Sequence, residues 1–209
     1  MSTTRVQLID KNTTVGTAAA EDTKIVFDGN AQDYHIGLDD SDDSLTIGLG
    51  SALGTTSYMN INADGSITKP LQPAFLVKPA SNQSDFAQGS VVTIDFGTEV
   101  FDNNGDFASN TFTAPVTGRY CFQFAIQINQ ISNQDSALYY YIELNTSNRQ
   151  YYNLSAIQEA VGSSAGQLYF TLSASALADM DANDTVTCRV VHGGTSGTGP
   201  SDISTNSHW

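Results

Sequence analysis

The most constraining feature of the chain is a strict period-two run. Tyr120, Phe122, Phe124, Ile126 and Ile128 alternate with Cys121, Gln123, Ala125, Gln127 and Asn129. Alternate residues of a strand point to opposite faces, so this segment is a half-buried strand with one face committed to a core. Leu138, Tyr140, Ile142 and Leu144 repeat the pattern, with Tyr139, Tyr141 and Glu143 on the other face. Gln167–Leu172 and Thr185–Val191 add two more strands. Gly, Asn and Asp punctuate the intervals, and only Ala156–Val161 and Ala174–Met180 have the composition for a helical turn or two. The expected fold class is all-β, with an antiparallel sandwich or jelly roll after residue 70.

Residues 1–69 differ. Tyr34, Ile36 and Leu38 alternate, then comes Asp39-Asp40-Ser41-Asp42-Asp43, then Leu45, Ile47 and Leu49 alternate. That pattern predicts a hairpin with a polar loop and one apolar face. A lone hairpin is marginal in water, and further copies of the same chain are the economical cover for its face. Lys69-Pro70-Leu71-Gln72-Pro73 breaks the strand pattern, because proline fixes φ and donates no hydrogen bond. The expected organisation is an N-terminal β segment over 1–69 and a head over 70–209.

Charge excludes some functions. Lys and Arg total 8 against 22 Asp and Glu, a net charge of −14. Phosphate binding needs clustered cations, so nucleic acid is not an expected partner, and neither is an anionic membrane surface. No run of about 18 apolar residues provides a membrane span. The opening MSTTRVQLIDKN lacks the cationic and apolar regions of a secretory signal, so the expectation is synthesis in a cytoplasm without classical export. On that expectation N-x-S/T triplets such as those at Asn82, Asn145 and Asn153 are chance matches.

Catalytic and metal motifs fare poorly. Gly162-Ser163-Ser164-Ala165-Gly166 matches G-x-S-x-G, but a nucleophile elbow needs a helix after it and here a strand is expected. His35, His192 and His208 have no zinc-like spacing; His35 is expected to point outward and His192 to open a Gly-rich loop. The acidic loops Asp39–Asp43 and Asp179–Asp184 lack the EF-hand pattern and read as solvated turns. Only convergence of three copies on an axis would supply enough oxygens for calcium. No acid, base and nucleophile set is visible, so no enzyme and no cofactor are expected. Cys121 and Cys188 fall on strand faces that do not meet, which disfavours a disulfide; both are expected to be small buried or interfacial residues.

From Phe96 the spacing runs five residues to Asp102, four to Phe107, four to Phe112, five to Gly118, then Tyr120, Phe122 and Phe124. With Thr111-Phe112-Thr113-Ala114-Pro115-Val116-Thr117-Gly118-Arg119-Tyr120, this resembles the signature of the globular head of the q subunit of complement's first component. Pro73-Ala74-Phe75 resembles that family's first strand and Asp184-Thr185-Val186 its penultimate one. The resemblance covers roughly 74–209 and implies a trimeric jelly roll of the tumour-necrosis-factor type. Two departures stand out. The Phe107–Phe112 interval is two residues short of the family pattern, which tightens that turn. The chain also stops at Trp209, where the family continues into a final core strand, so that strand is missing or supplied by another segment.

Residues 24–40 (KIVFDGNAQDYHIGLDD) and 45–51 (LTIGLGS) resemble segments of tailed-bacteriophage fibre proteins, where such segments form β shafts carrying a distal head. Together the resemblances imply a homotrimeric virion fibre on tail or head, assembled in the host cytoplasm. Residues 1–69 would contact other virion proteins and the head a host-surface polysaccharide or protein. A soluble complement-like or lectin recognition module is the alternative.

Binding in jelly rolls resides in the loops joining strands. The expected receptor-contact loops are Asn145–Tyr152, Ala160–Gln167 and His192–Asn206, with Asn148, Tyr151, Tyr152, Ser163, Ser164, His192 and Thr195 as contact candidates. Tyr139, Tyr141, Tyr151 and Tyr152 fit a subunit interface first, where tyrosine is enriched, and a surface that stacks on sugars second.

Overall fold

A computed structural model of the chain describes residues 13–131, 139–156, 168–193 and 201–207. The chain divides into two compact units, Met1–Gln72 and Pro73–Trp209.

The first unit holds one five-stranded antiparallel meander: β1 (Thr23–Phe27), β2 (Tyr34–Asp39), β3 (Ser44–Leu49), β4 (Ser57–Ile61) and β5 (Ile67–Thr68). The expected hairpin is its centre, with Ile36 opposite Ile47 and Leu38 opposite Leu45. Its apolar face continues across the neighbours, since Ile25 pairs with Ile36 and Met59 with Ile47. The polar face is the covered one. His35, Asp39, Ser44 and Thr46 are buried there, beneath the segment that turns back from β3 and carries buried Leu53. The expected outward His35 is therefore corrected: its Nδ1–H donates to the Gly50 carbonyl at 2.9 Å. Gly48, its cross-strand partner, makes the space, because a Cβ there would lie 2.7 Å from the imidazole.

The second unit contains β6 (Phe75–Lys78), β7 (Gln83–Phe86), β8 (Val91–Thr93), β9 (Thr98–Asp102), β10 (Phe107–Ala108) and β11 (Thr111–Thr113). It continues with β12 (Gly118–Ile131), β13 (Tyr139–Thr146), β14 (Gln150–Ala156), β15 (Leu168–Met180), β16 (Thr185–Gly193) and β17 (Ser201–Ile203). One sheet runs β10-β11-β16-β13-β14 with β8 also on β16; the other runs β15-β12-β17-β7; β6 and β9 pair separately. After β12 the chain crosses to the first sheet for β13 and β14, returns for β15, crosses for β16 and returns for β17. That alternation, with every pairing antiparallel, is a jelly roll.

The core lies between the sheets. Phe96, Phe107, Phe112, Phe122 and Phe124 are all buried in it, and Tyr120 packs against it while its hydroxyl donates to the Val116 carbonyl at 2.6 Å. Phe75 stacks on Phe107 and Phe112 at centroid distances of 5.0 and 5.2 Å. Asp102 has a turn-forming role: its two oxygens accept the backbone N–H groups of Asp106 and Phe107 at 3.2 and 2.8 Å. Gly118 opens β12 and its backbone is not left-handed, so the turn before it does not depend on a glycine conformation.

Both departures from the complement-type pattern have structural answers. Phe107 pairs with Phe112 across a two-residue turn, Ser109-Asn110, whose φ values of 49° and 64° fit the type I′ geometry that suits tight hairpins. The final core strand is β17, drawn from within the expected His192–Asn206 loop and fully buried between β12 and β7. No helix occurs among the described residues. Ala174–Met180 belongs to β15, where Ala174, Ala176 and Ala178 face Phe124, Phe122 and Tyr120. Small residues are needed there to fit the rings, and that need produced the helix-like composition. Ala156 ends β14, and 157–161 lie outside the described residues.

Candidate functional site

The outer face of the larger head sheet carries a tyrosine cluster. Alternation along β13 turns Tyr140, Ile142 and Leu144 into the core and leaves Tyr139, Tyr141 and Glu143 facing out. The Tyr139 and Tyr141 rings stack nearly parallel, with centroids 6.2 Å apart and planes at 7°. Tyr152, on β14 opposite Glu143, completes the cluster 5.8 Å from Tyr141 and is 69% exposed. On the other flank, Gly193 of β16 lies opposite Tyr139, and a Cβ at that glycine would fall on the Tyr139 ring. The absent side chain lets the ring lie against the backbone.

A charged pair closes one end of this face. Arg189 of β16, opposite Glu143, forms an ion pair with it, and Glu143 itself is buried. Burial, and then the Glu143 carboxylate, push the Tyr141 phenol above its ordinary value. The phenol therefore stays protonated, a hydrogen-bond donor as well as an apolar ring.

A cleft of about 240 Å³ lies beside the cluster, lined by Phe124, Tyr151, Tyr152, Asn153, Ala174 and Ser175 among others. It sits where β14 and β15, the edge strands of the two sheets, run side by side. Asn153 partly spans it, its Nδ2 donating to the Ser173 carbonyl at 3.2 Å.

The structure redistributes the expected contact residues. Tyr152 is on the open face, whereas Tyr151 shares the inward side of β14 with the core residue Leu144 and is half-buried at the cleft. Asn145–Tyr152 is not a loop: Asn145 and Thr146 belong to β13, Gln150–Tyr152 to β14, and only Ser147, Asn148 and Arg149 turn between them. Asn148 is exposed, but its amide is engaged, donating to Asp184 Oδ2 at 3.0 Å and accepting from Thr146 Oγ1 at 3.0 Å. His192 is fully buried in β16, stacked on Tyr140 at 4.5 Å and edge-on to Phe86 at 5.7 Å, so it cannot contact a receptor. Its apparent membership of the Gly-rich stretch concealed that it continues the inward alternation of Val186, Cys188 and Val190. Ser163, Ser164 and Thr195 lie outside the described residues, as does the G-x-S-x-G motif.

The acidic loops act as turn formers. Asp39 Oδ1 accepts the Ser41 N–H and hydroxyl at 3.0 and 2.6 Å, and Asp42 accepts the Ser44 N–H at 3.1 Å. Asp184 accepts from Ser147 Oγ at 2.6 Å and from the Asp181 N–H at 2.8 Å, and these bonds hold its carboxyl below the ordinary range. Among the described residues no group of three or more His, Cys, Asp or Glu could hold a metal ion. Cys188 is buried in the core, whereas Cys121 is exposed on the outer face of β12, which leaves it the interfacial alternative and not the buried one.

No protein-family model matches the sequence, and no curated protein sequence does. Among solved structures, the chain is similar to the globular domain of zebrafish complement 1qA protein. The identity is 16% and the TM-score 0.38, over 66% of this chain and 93% of that one.

Sequence reasoning named Tyr139, Tyr141 and Tyr152 but missed Arg189 and Gly193. The signal for both is parity: one residue before the inward Val190 and one after the inward His192 place Arg189 and Gly193 on the outer face.

Proposed function

We propose that this chain is a non-enzymatic recognition protein of a bacteriophage fibre, a homotrimer whose jelly-roll head binds a polysaccharide on the host surface. The observation that carries the binding role is the contact cluster of Tyr139, Tyr141 and Tyr152 beside the Glu143–Arg189 pair. Tyrosine rings bring large apolar faces at low conformational cost, and their hydroxyls serve the polar edges of a sugar. The pairing of Arg189 with Glu143 and the net charge of −14 favour a neutral saccharide over a polyanion. Single sites of this kind are weak, and three on one particle gain by avidity. The virion role extends the resemblance of residues 24–40 and 45–51 to phage fibre segments and rests on that resemblance alone.

The test uses the full-length chain on immobilised neutral bacterial surface polysaccharides. Binding to one of them is expected, with at least a tenfold loss for Tyr152→Ala at unchanged β content. Binding that is indifferent to Tyr152→Ala, or that goes to a surface protein instead, overturns the saccharide site. Gold-labelled antibody against the head should decorate fibre tips in electron micrographs of the particle; unlabelled particles overturn the virion role.

A further inference from the structure

The five-stranded sheet of the first unit is inside out for an isolated protomer. Its covered face holds His35, Asp39, Ser44 and Thr46, and its open face is apolar across its strands. Register aligns that face into rows: Ile25, Ile36, Ile47 and Met59 form one, and Leu38, Leu45, Ile61 and Ile67 another. Ile25, Phe27, Tyr34, Leu38, Leu45 and Ile67 are between 40% and 62% exposed.

We infer that this face is the interface through which copies of the chain assemble, three sheets turning their apolar faces to a common axis. Three observations carry this. The first is area. The exposed parts of these side chains come to roughly 600–700 Å², near the ~800 Å² that one partner contributes to a stable interface and beyond the patch typical of a monomer. The second is charge. The two rows contain no ionisable group, so a chain with net charge −14 can meet itself there without bringing like charges together. The third is dimension. Five strands spaced ~4.8 Å apart make a wall about 19 Å wide, and three such walls closed into a prism stand roughly 5.5 Å from its axis. That is about half the ~10 Å separation of packed sheets, the distance at which facing side chains fill the space between. Closure also brings the free edges β1 and β5 of neighbouring copies to the corners of the prism, where they are shielded.

The inference rests on the homotrimer reading and deepens it by naming the interface: a wild-type monomer overturns both, whereas an assembly that survives the folded variants overturns the interface alone. The test is the solution mass of the full-length chain at micromolar concentration. Three times 22.3 kDa is expected. Ile36→Glu places a charge at the centre of the face and should yield monomer with retained β content. The milder pair Leu38→Gln and Leu45→Gln, at positions already exposed in the protomer, should weaken assembly at least tenfold if Ile36→Glu fails to fold. A wild-type monomer overturns the proposal. So does an assembly that survives the folded variants, or protection of the face from solvent in a monomer, which would mean another segment of the chain covers it.

Discussion

Phe122 lies directly opposite Ala176 in the β12–β15 ladder, and the same large-against-small pairing repeats at Phe124–Ala174 and Tyr120–Ala178. The rings lean into space that the alanines leave, and those of Phe122 and Tyr120 meet Phe112 of the other sheet, at centroid distances of 5.5 and 5.3 Å. Truncating the ring leaves a cavity, so Phe122→Ala should cost about 3–5 kcal/mol. Enlarging its partner, Ala176→Leu, should cost about 1–3 kcal/mol through overpacking. Gln123→Ala, on the exposed side of β12, should stay within about 0.5 kcal/mol. Urea midpoints at one fixed protein concentration check all three, and equal losses at Phe122 and Gln123 would refute the facing.

The Tyr139 ring occupies the volume that any side chain at residue 193 would need. Gly193→Ala should displace the ring, break its stack on Tyr141 and lower saccharide affinity while leaving the buried His192–Tyr140 stack in place. Aromatic NMR shifts of Tyr139 and Tyr141 read the displacement directly. Unchanged shifts and affinity would show that the ring does not need the glycine.

In the first unit, Gly48→Ala would push a methyl to 2.7 Å from the imidazole of His35 and onto the Thr56 carbonyl. Neither can retreat easily, because His35 is buried and bonded to Gly50. A loss of about 1–3 kcal/mol is expected, the range for overpacking a covered site. Thermal unfolding followed by circular dichroism measures it, and the head's transition should not move.

Asp184 ties the Ser147–Arg149 turn to the Asp181–Asp184 turn through Ser147, Asn148 and the Asp181 amide. Its folded value lies below the unfolded one, first through the Ser147 hydroxyl and then the Asp181 N–H. The contribution is therefore present above the ordinary value of 3.8 and lost as pH falls through the lower, folded value. Amide protection at residues 147–149, taken relative to the intrinsic exchange rate at each pH, should fall in that acid window, and Asp184→Asn should show the lower protection already at neutral pH. Protection unchanged below 3.8 would exclude the tie.

Tyr141 provides the alkaline counterpart. Burial, and next Glu143, raise its phenol above 10.0, so the folded state resists its ionisation and loses stability as pH climbs past the unfolded value. Absorbance titration should show a late phase of tyrosine ionisation, and Tyr141→Phe should reduce its amplitude.

How much of this was legible in the sequence follows from what alternation can encode. Parity assigns each residue of a long strand to a face, so Tyr120–Ile128 and Tyr139–Leu144 declared both the core and the tyrosine cluster. Parity does not say which face is covered. In the Tyr34–Leu49 hairpin the polar face with His35 is inside, because the return segment carrying Leu53 lies on it. That is a tertiary contact with no periodic trace. Short strands fail for another reason. Ser201–Ile203 has three residues, too few for a period to emerge from the polar stretch around it, and its burial comes from its neighbours β12 and β7. The helix-like alanines of β15 show composition responding to partners rather than to local propensity.

The place of β17 between β12 and β7 has a kinetic consequence. The backbone N–H of Asp85 on β7 donates to the Asp202 carboxylate, a bond spanning 117 residues, whereas β1 to β5 each pair with the next strand in line. Contacts close in sequence form fast, and distant ones wait on loop closure. During synthesis, at roughly 5–20 residues per second, the N-terminal meander is complete while the head lacks the strand that closes one of its sheets. On the inferred assembly, nascent chains on one message would align through their first units for several seconds before any head can fold. The order in which the ribosome delivers the strands would then set the register of the assembly, leaving each head to fold on copies already gathered.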